Sequence, residues 1–282
     1  MTKIAIVTDS TVYLPKELVE KYFIKVAPQV LVWGNETYAD GVDIQPSEFY
    51  ERLKTAKVMP STSQVTPATF HKIFTELYEQ DYQILAILLS EALSGTIASA
   101  VQAREMFPGA TIEIVDSRTT SMATGFHVLR AAEAVAQGAS LAECVEVAER
   151  ARQHTGVVFA VDTLEFLHRG GRIGSGTRFL GTALKLKPIL EVVGGRVEAV
   201  ERVRTRKKSL ERLVELVEER IAGRKPVRLA TLHASAADDA QELLAQANRR
   251  IESIENIFTE VSPVVGTHTG PGTVGLAFMA GM

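Results

Sequence analysis

Short β-branched runs alternate with stretches of helical period along this chain, and that alternation limits the fold more than any other feature. The runs are KIAIVTDS near the start, QILAILL at 83–89, TIEIVDS at 111–117, GVVFAVD at 156–162, VRLATLH at 227–233 and NIFTEVSPVV at 256–265. Between them lie segments that read as helices, among them TPATFHKIFTELYEQ, MATGFHVLRAAEAVAQG, SLAECVEVAERARQHT and DDAQELLAQANRRIES. Strands separated by helices build parallel sheets covered on their faces. At 282 residues the chain has room for one large or two medium α/β units. The strand at 156 follows two consecutive helices, which sets the expected boundary: a first α/β domain over 1–155 and a second over 156–282.

Finer signals complete the expected outline. KVAPQVLVWGNETYADG reads as a strand turning at Gly34-Asn35 into a second strand, and MPSTSQV reads as a loop between helices. A helix is expected from about Ser94 to Met106, with Ser94 at its N-cap. TLEFLHRGGRIG reads as a short helix ended by glycines, and ILEVVGGRVEAVERV as a hairpin around Gly194-Gly195. NIFTEVSPVV is expected to run as a strand into the glycine-rich GTHTGPGTVG at 266–275.

Composition removes several function classes. A net charge of −3 gives no electrostatic reason to expect nucleic acid or an anionic membrane surface as the main partner. The single cysteine, Cys144, excludes an internal disulfide and a multi-thiolate metal site, and its setting LAECVEVAE suits a buried thiol on the apolar stripe of a helix. No stretch reaches the roughly eighteen apolar residues that span a bilayer. No secretory signal opens the sequence, so a cytoplasmic location is expected. There is no Walker-type phosphate loop, no H-E-x-x-H and no G-x-S-x-G. The formal G-x-G-x-x-G from Gly270 to Gly275 has only seven residues after it, too few for the helix, strand and acid of a dinucleotide site.

In open α/β sheets ligands collect where strands end and helices begin. VTDS at 7–10, LLSEALSGT at 88–96 and IVDS at 114–117 all have that context. The free N–H groups that start a helix attract a carboxylate or phosphate, although Ser94 would equally serve as an ordinary cap. PSTSQ at 60–64 adds three hydroxyls and an amide, and can be read simply as the cap of the helix beginning near Thr66. Arg172 in HRGGRIG would pair with an anion or with an acid of its own fold. His268 lies among glycines and threonines with little apolar packing to serve. Arg202, Arg204 and Arg206 alternate at strand period, as a solvated arm or as a row facing an anion. A hydrolase or transferase acting on an acyl substrate through Ser94, His268 and an acid such as Asp116 would lack a nucleophile elbow. A DNA-binding regulator is disfavoured by the near-neutral charge.

Four segments in order, VTDS, STSQVTP at 61–67, LSGTIASA at 93–100 and HRGGRIG followed by a His-Gly loop, resemble the DegV family of bacterial fatty-acid-binding proteins, the lipid-carrying subunits of fatty acid kinase. Ser61, Val65 and Arg169 depart from the commoner wording of these motifs. The resemblance implies a mostly parallel three-layer N-terminal α/β domain and a second, mixed-sheet α/β domain with a long-chain fatty acid such as palmitate, stearate or oleate between them. It places carboxylate binding on Thr62 and Ser94, with His268, Arg172 and Arg204 falling on the family's C-terminal His, glycine-flanked Arg and R-T segment. The N–H groups of Gly95 and Thr96 and the His268 ring are further candidate donors to the carboxylate. Arg172 and Arg204 are candidates for an anion or partner contact. The resemblance further implies that the chain is no enzyme by itself. It would bind no cofactor and no metal, and would present the acid to a separate kinase subunit carrying ATP and Mg²⁺, with His268 and Arg204 as candidate helpers in phosphoryl transfer. Each buried methylene contributes about 0.8 kcal/mol, so a chain of about sixteen carbons gains on the order of 10 kcal/mol before ordering costs.

Overall fold

The computed structural model describes residues 3–179 and 186–282. In chain order the first part comprises β1 (Lys3–Asp9), α1 (Lys16–Lys21), β2 (Lys25–Ala27), β3 (Val30–Trp33), β4 (Glu36–Ala39), α2 (Pro46–Lys54), β5 (Ser61–Ser63), α3 (Pro67–Tyr78), β6 (Tyr82–Leu88), α4 (Thr96–Arg104), β7 (Ile112–Asp116), α5 (Ser121–Ala136) and α6 (Leu141–Arg150). Strands β2-β1-β6-β7 form a wholly parallel sheet. Alternate residues of its strands point to opposite faces. Ile6, Leu85, Ile87 and Val115 therefore enter the core under α5 and α6, while Val7, Ile84, Ala86 and Leu88 meet Phe70, Phe74 and Leu77 of α3 and Ala100 and Ala103 of α4. Both faces are buried, which explains why QILAILL is apolar throughout rather than alternating. Cys144 is buried on α6, whose start is fixed by a capping box between Ser140 and Glu143.

The second part comprises β8 (Thr155–Ala160), α7 (Glu165–Arg169), β9 (Lys187–Val193), β10 (Arg196–Val203), α8 (Arg206–Ile221), β11 (Val227–His233), α9 (Ala237–Arg250), β12 (Glu255–Glu260), α10 (Pro263–Thr269) and β13 (Val274–Ala280). Its strands form one mixed sheet in the order β10-β9-β8-β13-β11-β12. The hairpin of β9 and β10 turns at Gly194 and Gly195, with φ of 56° and 82°. Two consecutive positive φ values are the reason two glycines stand there. One face of this sheet packs on α8 and α9. The other turns toward the first part, and α5 lies between, packed on β1 and β6 on one side and on β8 and β13 on the other. A helix that serves two sheets must be apolar almost all round. Met122, Ala123, Phe126, Val128, Leu129 and Ala131 of α5 are accordingly all buried.

Three local expectations are corrected. The segment read as a loop between helices contains β5, which pairs with β3 and joins β4 in a small antiparallel sheet. Its three residues, Ser-Thr-Ser, carry no hydrophobic signal, and their strand conformation comes from the partner. NIFTEVSPVV is not one strand: β12 stops at Glu260, and Ser262 caps α10 by accepting a hydrogen bond from the Val265 N–H at 3.3 Å. His268 therefore sits on a helix rather than in a loop. Helix α4 begins after Gly95, not after Ser94.

Candidate functional site

A narrow cavity lies between the first part and the inward face of the mixed sheet. Its walls are mainly apolar, with Leu89 and Leu93 on one side, Val157, Phe159 and Leu232 from the mixed sheet, and Val264 from α10. Gly275 continues the floor between Phe159 and Leu232, to which it is cross-strand paired. With no side chain at that position, the floor is a trough.

One side of the cavity is polar. Thr62, Ser63 and Gln64 of the β5 segment, Ser94, Arg172 and His268 all line it. Thr62 Oγ1 and His268 Nε2 are hydrogen-bonded at 2.8 Å, across two parts of the chain more than two hundred residues apart. Burial, and secondarily the Arg172 charge, push the His268 pKa down to about 4. The ring is therefore neutral at pH 7 and meets a ligand as a dipole. Its Nδ1 is buried and unpartnered. Arg172 gives its Nε–H to the Leu93 carbonyl at 3.1 Å and an Nη1–H to the Gly170 carbonyl at 2.7 Å. Those bonds fix the guanidinium and leave Nη2 without a hydrogen bond among the described residues. The combination of one fixed cation, two hydroxyls and a neutral imidazole at the edge of an apolar cavity suits a single carboxylate on a hydrocarbon chain.

Other residues singled out in the sequence lie elsewhere. Thr96 is fully buried behind the cavity wall, its hydroxyl bonded to Gln29 and to Ser94 Oγ at 2.9 Å each. It supports Ser94 instead of facing the cavity, and Gly95 does not line the cavity either. Gly95 has a packing role, since a Cβ there would stand 3.3 Å from the Gln64 side chain. Arg204 is exposed in the connection between β10 and α8, away from the cavity lining. Of the two readings of Arg202, Arg204 and Arg206, the anion-facing row is not formed, because β10 ends at Val203 and Arg206 turns into α8 to pair with Asp239 at 2.8 Å. Nor do Ser94, His268 and Asp116 assemble: Ser94 bonds Thr96, His268 bonds Thr62, and Asp116 accepts from the Arg118 N–H.

Sequence reasoning missed the polar groups behind the site. Gln29 lines the cavity, donates its backbone N–H to Ser10 Oγ at 3.0 Å and its side-chain amide to Thr96 Oγ1 at 2.9 Å, and so bridges Thr96 to that serine. Ser10 in turn donates to Asp40 Oδ2 at 2.6 Å. Asp40 is buried, and burial raises its pKa to about 7 despite these hydrogen bonds. No motif announces Gln29 or Asp40, and only the fold brings them beside VTDS. That segment is itself structural: Asp9 accepts from the Thr11 and Leu89 N–H groups and from the Thr11 hydroxyl.

Among the described residues no cluster of His, Cys, Asp and Glu could hold a metal ion, and no helix is long and apolar enough to cross a membrane. Residues 3–281 match the family model described as uncharacterised protein, DegV family. The chain is 34% identical over 276 residues to Protein DegV of Bacillus subtilis, covering 98% of each. It is 37% identical over 275 residues to a DegV domain-containing protein of Streptomyces coelicolor, covering 97% of each. Among solved structures, a Thermus thermophilus DegV family protein described in terms of fatty acid binding superposes with a TM-score of 0.93 at 36% identity, over 99% of both chains. DegV of Bacillus subtilis, described as a fatty acid binding protein, superposes with a TM-score of 0.90 at 33% identity, over 99% of this chain and 100% of that one.

Proposed function

The chain belongs to the DegV family, and from that premise we propose that it binds a long-chain fatty acid, tail in the apolar cavity and carboxylate at the polar edge formed by Thr62, Ser94, Arg172 and His268. The observation that carries this reading is the meeting, on one largely apolar cavity, of these four groups from four separate segments. The fatty-acid-binding descriptions of the Thermus thermophilus and Bacillus subtilis relatives support it. The tail supplies affinity, about 0.8 kcal/mol per buried methylene. The head-group contacts supply orientation: the hydroxyls donate to the carboxylate oxygens, and the Arg172 Nη2–H donates to one of them as a charge-assisted hydrogen bond at the cavity edge.

The acid so held is presented to a separate kinase subunit that brings ATP and Mg²⁺ and converts the carboxylate to an acyl phosphate. A carboxylate gripped mainly by neutral donors at the cavity mouth keeps an oxygen lone pair for attack on a phosphoryl group, which favours this division of labour. Arg204, exposed beside β10, belongs in this proposal to the partner contact rather than to the acid. The protein's own role is binding and presentation, in the cytoplasm. Native mass spectrometry of the purified protein followed by organic extraction tests the binding reading: an acyl chain of fatty-acid mass is expected, and its loss from a Thr62→Ala/Ser94→Ala variant. Protein that purifies empty and takes up no palmitate, stearate or oleate overturns it. Acyl phosphate formation with a cognate kinase, reduced in Arg204→Ala while acid binding is kept, tests presentation.

A further inference from the structure

Strands β8 and β9 pair for only three residues, Val158 with Glu191, Phe159 with Leu190 and Ala160 with Ile189. Both strands continue past that ladder, β8 back to Thr155 and β9 on to Val193, yet they no longer bond each other. Two side-chain ties flank the parting. Ser90 donates its hydroxyl to the Gly195 carbonyl at 2.9 Å, drawing the hairpin tip toward the first part of the chain, and Arg220 of α8 grips Glu191 with two hydrogen bonds of 3.0 and 3.1 Å. Where the ladder stops, the two strands leave a slit in the mixed sheet.

The slit has the cavity on one side and an open cleft on the other. Thr155, Gly156, Val193 and Gly194 border the cleft, and Arg118, Arg150 and Arg152 stand around it. Val157 and Val192, the pair that would come next in the interrupted ladder, line both spaces. By strand alternation Val157 lies on the same face as Phe159, and Val192 on the same face as Leu190, so both side chains point to the cavity. They are the wall between a mainly apolar compartment and a more polar one.

We propose that Val157 and Val192 form the stop for the methyl end of the acyl chain, and that the slit behind them is the outlet through which a longer chain would pass into the arginine-lined cleft. This rests on the fatty-acid reading above and goes on to name what sets the accepted chain length. Within the cavity each added methylene gains affinity about fourfold. At the stop the gain ends, because the next carbon must displace a valine side chain from a packed wall. Beyond the slit the chain meets water and guanidinium groups, so further carbons add nothing.

Saturated acids from lauric to lignoceric are titrated against the delipidated full chain, the Val192→Ala variant and the Val157→Ala/Val192→Ala variant. The wild type is expected to tighten with length to an optimum and then weaken. The double variant shifts that optimum by two or more carbons and binds the acids just past the wild-type limit about fifteenfold more tightly, the value of roughly two released methylenes. Val192 is only partly buried, so its single variant keeps the fold and should shift the optimum in the same direction by a smaller amount. An optimum that neither variant moves overturns the stop while leaving the binding reading intact. A wild type that binds none of the acids overturns both.

Discussion

Gly170 holds the imidazole of His268 in place by having no side chain: a Cβ there would stand 2.0 Å from Nδ1. Its φ is −75°, so the position asks for space and not for an unusual backbone. Gly170→Ala therefore isolates one effect, displacement of the ring and loss of the hydrogen bond to Thr62. A lost hydrogen bond to a head-group donor costs about 1.4 kcal/mol, close to a tenfold weakening of fatty acid binding. Fluorescence competition with a labelled acid measures it, and unchanged affinity would mean that His268 does not contribute to the head-group site. HRGGRIG was legible as a glycine-flanked arginine but not as the seat of His268, because the contact spans almost one hundred residues. The same limit applies to Gln29 and to Asp40. Thr62, Ser94, Arg172 and His268 were legible through motif order and resemblance, whereas the charge and hydroxyl patterns by themselves fitted caps and solvated faces equally well.

At the scale of elements, α10 positions His268, and it is anchored at its start. Pro263 fits the first turn, Ser262 caps it, and Asp40 Oδ1 accepts the Val264 N–H at 3.2 Å. Burial is the main cause that raises the Asp40 pKa to about 7, with repulsion from Asp9 adding to it and hydrogen bonds from Ser10, Val264 and Ser262 opposing. The folded protein thus holds a proton on Asp40 that the unfolded chain releases near its ordinary value of 3.8. This contribution to stability is complete below the unfolded value and is lost as pH rises through about 7, by at most about 1.4 kcal/mol per pH unit. Asp40→Asn removes the titration while keeping a neutral group of similar size. Urea denaturation of both proteins at pH 5.5 and pH 8 should show the wild type losing stability relative to the Asn variant at the higher pH, and a difference independent of pH would refute the assignment. The elements that escaped the sequence reading, β5 and α10, share a cause. Ser-Thr-Ser and GTH carry little periodic apolar signal, so pairing with β3 in one case and anchoring by Ser262 and Asp40 in the other decide their conformation. Strands such as β6 and the hairpin at Gly194-Gly195 were legible because their own period and turn residues decide it.

At the scale of the molecule, α5 makes the two sheets one structure. His127 on α5 bonds the Thr155 hydroxyl at the start of β8 through Nε2 at 2.8 Å, and Glu133 on the same helix pairs with Arg228 of β11 at 2.7 Å. The cavity lies in the same seam, with walls from Leu89 and Leu93 on one side and from β8, β11 and β13 on the other. A ligand there contacts both parts, so its binding free energy adds to the stability of the whole and not of one half. At a free acid concentration one hundred times the dissociation constant that addition is about 2.7 kcal/mol. For a chain of this length it corresponds to a rise in Tm of roughly 5 °C. Calorimetry of delipidated protein, with and without added oleate, should therefore show one transition that moves upward intact. Two transitions, of which oleate moves only one, would mean that the sheets unfold independently and that α5 belongs to one of them alone. A single transition unmoved by oleate would mean that the acid does not occupy the seam.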